Sequence, residues 1–245
     1  MANPETTGTL DAGEVAKFSA LAAEWWNPQG PFGALHRLNP VRLQYIRDVA
    51  VQHFHTPMRR PLQGLNALDL GCGGGLVSAP LVRMGANVTA IDASAEAIGA
   101  ARAYAQQATL EINFLCTTAE ALVERGQTFD LVTALEIVEH VADVSLFLAS
   151  AATLVRPGGM LVLSTINRTS KARAFAIVGA ERILKWSPEG AHDYDKLVTP
   201  SEIRSGAPGL SWQAPVGITY NPVGAGWTQS RDTDINYIIA GAKPP

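Results

Sequence analysis

The feature that most constrains the fold is an alternation of short apolar strands with helices between residues 66 and 166. Five runs have the length and apolar character of strands: NALDLG, NVTAID, EINFLC, FDLVTA and MLVLSTI. Helical patterns lie between them, such as SAEAIGAARAYAQQA, which begins with a serine at an N-cap position. Strands that alternate with helices at this spacing predict βαβ units, a mostly parallel sheet and hence an α/β fold.

The regions on either side of this alternation indicate one domain with additions. Residues 1–13 are polar, and we expect a disordered tail there. Residues 14–245 then form a single domain, with a helical cap over residues 14–62 and an irregular insert over residues 167–199. Two further apolar runs near the C-terminus predict two final strands that form an antiparallel edge.

The composition excludes several classes of function. Of the 245 residues, 47% are hydrophobic and 17% are charged, which predicts a sizeable core. A net charge of −3 argues against a nucleic-acid partner, because such binding needs an excess of basic residues. We expect neither a membrane span, which needs roughly 18 apolar residues, nor a signal peptide. Only two cysteines occur, Cys72 and Cys116, and they fit a reducing cytoplasm.

The most informative motif is LDLGCGGG, which ends the first predicted strand and opens a helix. Gly71, Gly73 and Gly75 allow a tight turn and the close approach of a ligand. Asp92 ends the next strand, 21 residues after Gly71, where a carboxylate can accept hydrogen bonds from both ribose hydroxyls. A dinucleotide motif needs a further glycine where this chain has Leu76, so the pattern predicts an adenosine-containing ligand other than NAD.

The pattern D-x-G-x-G-x-G, from Asp69 to Gly75, resembles the first motif of class I S-adenosylmethionine-dependent methyltransferases. The turn RPGGMLVLST also resembles the segment before that family's fifth strand. The resemblance implies a Rossmann-like fold, with a seven-stranded, mostly parallel sheet in the order 3-2-1-4-5-7-6, an antiparallel edge strand and N-terminal helices. It also places Asp69 near the amino-acid end of the cofactor, S-adenosyl-L-methionine.

A narrower resemblance runs from about residue 14 to residue 240. The stretches EVAKFSALAAEWWNPQGPFGALHRLNPVRLQYI, FDLVTALEIVEHV and HDYDKLVTPSEI resemble ubiquinone-biosynthesis O-methyltransferases. This implies methylation of phenolic hydroxyls on polyprenylated dihydroxybenzene and demethylubiquinone intermediates, and a ubiquinone biosynthetic complex as a partner. It also implies a set of cofactor-contacting residues, namely Arg42, Asp69, Gly71, Gly73, Asp92 and Leu135. Arg42 can pair with the methionine carboxylate, because a guanidinium binds a carboxylate bidentately.

The segment LEIVEHV follows the fourth predicted strand and places Glu136, Glu139 and His140 within five residues. If the segment is helical, these residues lie at i, i+3 and i+4 and share one face. One interpretation is a helix start whose acids are stabilised by the helix dipole. The other is a catalytic site, for which the resemblance implies Mg²⁺ bound by all three residues. His140 is then either a metal ligand or a general base.

Residues 167–187 carry five basic side chains and one acidic side chain, with apolar residues between them. A basic amphipathic segment can bind an anionic membrane surface, here the inner face of the cytoplasmic membrane, but it can equally pack its apolar face on the domain.

Three alternatives to the proposed activity stay open at this point. They are a class I O-methyltransferase with a different phenolic substrate, a nucleotide-binding module without catalysis, and an NAD-dependent dehydrogenase, which the glycine spacing disfavours.

Overall fold

The structure is a computed structural model that describes residues 8–174, 194–221 and 226–245. Within these ranges the strands are β1 (Asn66–Leu70), β2 (Asn87–Asp92), β3 (Ile112–Cys116), β4 (Phe129–Leu135), β5 (Val155–Ile166), β6 (Ser211–Trp212), β7 (Val216–Asn221), β8 (Gly226–Ser230) and β9 (Asn236–Ala242). The α-helices are α1 (Ala12–Ala20), α2 (Gly33–Phe54), α3 (Ser78–Arg83), α4 (Ala95–Gln107), α5 (Ala119–Glu124), α6 (Val144–Leu154), α7 (Ser170–Ala172) and α8 (Pro200–Gly206).

All described strands belong to one sheet with the order β3-β2-β1-β4-β5-β9-β7-β8, and β6 pairs with the end of β9. The pairs within β3-β2-β1-β4-β5 are parallel, whereas the pairs that involve β9, β7 and β8 are antiparallel. The predicted α/β fold, with a mostly parallel sheet and an antiparallel edge, is therefore confirmed.

The predicted number of seven strands is wrong, since the described ranges contain nine. The additional strands are β6, which has two residues, and β8, whose sequence GWTQS is half-buried along its length. A short polar strand at a sheet edge has no apolar run and no clear alternation, so the sequence carries little signal for it.

The sheet is covered on both faces, which explains why its central strands are almost continuously apolar. All seven residues of β4 are buried. Neighbouring positions point into different cores: Leu131 packs in the core that α2, α3 and α4 cover, and Val132 packs in the core beneath α5, α6 and α8. This three-layer arrangement leaves the carboxyl ends of the parallel strands facing one edge of the domain.

The predicted tail covers residues 1–13, but helix α1 already begins at Ala12 and Thr9 contacts the domain. Thr9 is buried, its backbone N–H donates to Glu120 at 2.8 Å, and its carbonyl accepts from Ala142 N–H at 2.9 Å. Asp11 caps α1 by accepting from the N–H groups of Gly13 and Glu14. Residues 8–13 thus make contacts with residues that are distant in the chain, which the local sequence does not predict. Residues 1–7 lie outside the described part.

The predicted basic insert lies partly outside the described residues, since residues 175–193 are not described.

In the ranges that the structure does describe, no helix combines the length and the apolar character needed to cross a membrane.

Candidate active site

The glycine loop after β1 has the backbone geometry that the motif predicts. Gly71 has φ +65° and Gly73 has φ +51°, and residues with a side chain rarely adopt these values. A Cβ added at Gly71 would lie 2.5 Å from the Ile137 side chain, and one at Gly73 would lie 2.4 Å from Trp25. Both glycines are therefore required by conformation and by the close packing of the loop.

Asp92, at the end of β2, is bonded to the loop. Its Oδ2 accepts from Gly73 N–H at 2.9 Å, and its Oδ1 accepts from Ser94 N–H at 2.8 Å. Burial raises the pKa of Asp92, and these backbone donors partly offset that effect. Each carboxylate oxygen has a second lone pair, so both can still accept a ligand hydroxyl.

A cavity of about 840 Å³, which includes its opening to solvent, lies at the carboxyl ends of the parallel strands. Its wall brings together the glycine loop, Asp92 and the segment after β4, and α1 covers it from the other side. The lining residues that matter here are Gly71, Gly73, Asp92, Glu136, His140, Glu14, Phe18 and Trp25. Its position outside the carboxyl ends of parallel strands is typical of a ligand site in such a sheet. Three predicted sequence features thus converge on one binding space.

The remaining predicted cofactor residues lie behind the cavity wall. Asp69 is buried and accepts from Ser78 Oγ at 2.6 Å and from Thr133 Oγ1 at 2.8 Å. Burial raises the pKa of Asp69 to about 6. These bonds hold the end of β1 to the start of α3, so Asp69 positions the glycine loop in this arrangement. Leu135, the last residue of β4, is also buried.

Arg42 extends from α2 into the same buried region. Its Nη1 lies 3.8 Å from Glu136 Oε1, and its Nη2 donates to Asn39 Oδ1 at 3.3 Å. Its Nε has no hydrogen-bond partner among the described residues. Burial lowers the pKa of Arg42, although the carboxylate of Glu136 acts in the opposite direction. A buried guanidinium with an unused donor fits a ligand carboxylate.

Glu136 has a different environment from the one that a helix would give it. It follows β4 directly, with φ +53°, and its N–H donates to Ser164 carbonyl oxygen at 2.8 Å. Its carboxylate accepts from Ser164 Oγ at 2.6 Å and from Asn236 Nδ2 at 3.2 Å. Glu136 is thus held against β5 and β9 by neutral donors.

Glu139 and His140 lie in a short 3-10 helix, Val138–His140. Glu139 is 3% exposed, and its carboxylate oxygens make no hydrogen bond of ordinary length within the described ranges; the Thr165 hydroxyl is a weak donor to it. Burial, followed by the charge of Glu136, raises the pKa of Glu139 to about 7. His140 lines the cavity, and its Nδ1 lies 2.9 Å from Glu14 Oε2. Burial acts to lower the pKa of His140, but the Glu14 bond and nearby carboxylates raise it overall.

Glu136, Glu139 and His140 do not share one helical face, because the segment is not one continuous helix. The positive φ of Glu136 precedes the 3-10 helix and turns its side chain toward Ser164, whereas His140 turns toward Glu14. No group of three or more His, Cys, Asp and Glu side chains within residues 8–174, 194–221 and 226–245 is arranged to hold a metal ion. The predicted Mg²⁺ ligand set therefore does not fit this arrangement.

Two residues of the cavity wall, Glu14 and Phe18, were not predicted as site residues. Both lie on α1, and the Phe18 ring meets the His140 ring edge-on, with centroids 5.0 Å apart. They stand more than 100 positions before His140 in the chain, so no local spacing connects them. The stretch EVAKF, which carries part of the family resemblance, is the signal that could have found them.

The fold and site define the class of protein to which the chain belongs. A family model described as a methyltransferase domain matches residues 68–163. The structure is similar to magnesium protoporphyrin IX methyltransferase from Synechocystis PCC 6803 with bound SAH, with a TM-score of 0.64 and 21% identity over 93% of this chain and 94% of that chain. It is also similar to the plantazolicin methyltransferase, with a TM-score of 0.63 and 15% identity over 95% and 97% of the two chains. The chain thus contains a methyltransferase domain and has the fold of these methyltransferases.

Sequence relatives define the family more narrowly. A ubiquinone biosynthesis O-methyltransferase from Rhizobium etli (strain CIAT 652) is 50% identical over 240 residues, which cover 96% of this chain and 97% of the relative. One from Chelativorans sp. (strain BNC1) is 48% identical over 96% and 95% of the two chains. The chain belongs to the ubiquinone biosynthesis O-methyltransferase family. This assignment confirms the resemblance to ubiquinone-biosynthesis O-methyltransferases and argues against the NAD-dependent dehydrogenase alternative.

Proposed function

We propose that the protein transfers the methyl group of S-adenosylmethionine to phenolic hydroxyls of polyprenylated dihydroxybenzene and demethylubiquinone intermediates. The observation that carries this proposal is that Asp92 and His140 line the same cavity. A carboxylate suited to a ribose and an imidazole suited to a phenolic proton thus face one binding space. The identity of the substrate rests on the names of the relatives, which describe ubiquinone biosynthesis.

The cofactor fits the residues that surround the cavity. The glycine loop lets a nucleoside approach the backbone, and the free lone pairs of Asp92 can accept the ribose hydroxyls. Arg42 does not line the cavity, and its unused Nε donor lies behind the wall, so its proposed contact with the methionine carboxylate needs the wall to open there. Asp69 and Leu135 support the loop and the end of β4 from behind. When bound, S-adenosylmethionine supplies a methyl group on a positively charged sulfur, which a nucleophilic oxygen attacks in line.

His140 is the residue that we propose as general base. A phenol is a weak nucleophile at neutral pH, since its pKa is about 10 by comparison with tyrosine. Removal of its proton as the new O–CH₃ bond forms raises its reactivity, and a histidine at the cavity wall can accept that proton. Much of the remaining rate enhancement comes from holding the oxygen and the methyl group in line.

The direct test is a methylation assay with a short-tailed dihydroxyphenol and S-adenosylmethionine, performed with and without EDTA. We expect formation of the mono-methylated product and of S-adenosylhomocysteine in equal amounts. Binding of S-adenosylhomocysteine without methyl transfer to any dihydroxyphenol would contradict the proposed substrate class.

The EDTA arm tests the metal dependence that the resemblance implies. Glu136, Glu139 and His140 are not grouped around one point in the described ranges, so this arrangement predicts that EDTA leaves turnover unchanged. A loss of turnover that Mg²⁺ restores would contradict this expectation and show that the activity depends on a metal.

Membrane association is proposed from the basic insert, which the structure describes only in part. Among its described basic residues, Arg168 pairs with Glu202, and Lys171 bonds to Asp232 at 2.5 Å. These charges are therefore partly neutralised within the protein, and we assign the membrane contact to the part of the insert within residues 175–193, which lies outside the described residues.

Co-sedimentation with anionic liposomes tests this assignment. We expect binding at low salt that is lost at high salt, because the attraction is electrostatic. Replacement of Arg182 and Lys185 by Ala should weaken binding more than replacement of Lys171, which serves as the control. Absence of binding at low salt would remove the membrane proposal.

A further inference from the structure

We infer that Glu14 is a positioning residue for His140, and that α1 carries it into place by covering the cavity. The inference rests on the proposed function, in which His140 is the general base. It adds a residue from the N-terminal cap to a site otherwise built at the strand ends of the sheet.

Helix α1 is attached to the domain by polar contacts at its two ends and by the apolar packing of Phe18. No residue of α1 is buried. At its start, Asp11 pairs with Lys196 at 2.9 Å, and near its end Ser19 Oγ contacts Ser94 Oγ at 2.7 Å and donates to Glu96 at 2.8 Å. Phe18 adds apolar contact, because it packs against the cluster that contains Trp25 and Phe32. Polar and apolar contacts together therefore hold α1 over the cavity, and no single polar contact determines its position.

Between the two ends of α1, Glu14 contacts His140, the proposed base. Glu14 Oε2 lies 2.9 Å from His140 Nδ1, and Phe18, one turn later on the same helix, packs against the edge of the imidazole ring. The Glu14 and His140 side chains are 21% and 11% exposed, so the bond forms in a largely desolvated environment, where hydrogen bonds are stronger. One face of α1 therefore fixes both the plane and the direction of the ring.

The chemistry of the pair specifies what this contact does. The Glu14 side chain presents a carboxylate oxygen to His140 Nδ1. An ionised carboxylate only accepts hydrogen bonds, so Nδ1 carries the hydrogen, and a neutral ring then has its lone pair on Nε2. Glu14 thus selects the tautomer in which Nε2 accepts the phenolic proton, and it stabilises the imidazolium that results. The base is correctly oriented only while α1 covers the cavity.

The experiment compares Glu14→Gln and Glu14→Ala with Ser19→Ala, which removes a polar contact of the same helix without touching His140. We expect both Glu14 variants to lower kcat at saturating substrates by at least about tenfold, which is part of the roughly 10²–10⁴-fold that a general base supplies. The Kd for S-adenosylhomocysteine should stay within about twofold, and Ser19→Ala should keep kcat within about twofold of the parent. Thermal denaturation of each variant shows whether it is folded.

A second readout separates positioning from stability. The ¹⁵N NMR signals of the His140 ring, assigned by their absence in His140→Ala, should show the Nδ1–H tautomer in the parent protein and a mixture in Glu14→Gln. In the His140→Ala background, Glu14→Gln should cause no further loss of kcat, because Glu14 acts through His140.

The outcomes distinguish this inference from the proposed function. If Glu14→Gln changes neither kcat nor the tautomer, the positioning role is wrong. If His140→Ala leaves kcat unchanged, the base itself is misassigned and the inference that rests on it is lost as well. If all α1 variants, including Ser19→Ala, lower kcat equally, Glu14 only anchors the helix.

Discussion

Replacement of His140 by Ala is expected to lower kcat by about 10²–10⁴-fold, the usual contribution of a general base. The Kd for S-adenosylhomocysteine should change by less than about threefold, since the acceptors proposed for the cofactor are elsewhere in the wall. The reason is geometric: the His140 ring lines the cavity, and its Nδ1 is already engaged by Glu14. Loss of the ring therefore removes a proton acceptor without removing a contact to the ribose.

The measurement is steady-state turnover at saturating substrates, together with calorimetric titration of S-adenosylhomocysteine. His53→Ala is the matched control, because His53 lies in α2, bonds to Gly158 carbonyl oxygen at 3.0 Å and does not line the cavity. We expect it to retain kcat. Unchanged turnover in His140→Ala would exclude His140 both as a base and as a required metal ligand.

Replacement of Asp92 by Ala is expected to weaken binding of S-adenosylhomocysteine by about 10²–10⁴-fold. The substitution removes the hydrogen bonds to two ribose hydroxyls, and a hydrogen bond to a charged group is worth about 1.5–3 kcal/mol. Each 1.4 kcal/mol corresponds to a factor of about ten in the Kd. The variant also leaves the N–H groups of Gly73 and Ser94 without their acceptor, which loosens the loop that the cofactor must meet. Both effects act on binding in the same direction.

Calorimetry measures this effect directly, with Glu96→Gln as the control. Glu96 is an acid four residues further along, it is exposed, and it lies outside the cavity wall, so its loss should leave the Kd within about twofold. Asp92→Asn keeps one acceptor oxygen and should fall between the parent and Asp92→Ala. An unchanged Kd in Asp92→Ala would show that the ligand does not use this carboxylate.

Features that depend on neighbouring residues were predicted correctly. The alternation of strands and helices led to the α/β fold, and Ser94 caps α4 by accepting from Ala97 N–H, as its position predicted. The glycine motif and Asp92 were also located correctly at one edge of the sheet, because the carboxyl ends of parallel strands always meet there. In these cases the interacting residues are close along the chain, or the topology of βαβ units places them at the same edge of the sheet.

Features that depend on distant contacts were not predicted. The strand β8 was missed, because a short, half-buried polar strand is defined by its partner β7 and not by its own pattern. The segment LEIVEHV is not one continuous helix, because Glu136 adopts a positive φ while its N–H and carboxylate bond to β5 and β9. These bonds offset the cost of the left-handed backbone. Their partners, Ser164 and Asn236, are distant in the chain, so the residues next to Glu136 do not predict them.

The sequence by itself determined the class of fold, the glycine loop and the acid at the end of β2, because periodicity and short-range spacing encode them. The family was indicated by the resemblance of longer stretches between about residues 14 and 240. Only the tertiary structure decided which polar side chains face one another. It separated Glu136 from His140, left Glu139 buried without a hydrogen bond of ordinary length in the described ranges, and brought Glu14 to His140 across 126 positions of the chain. The physical reason is that a side chain's partner is set by the packing of whole elements, which the local sequence does not specify.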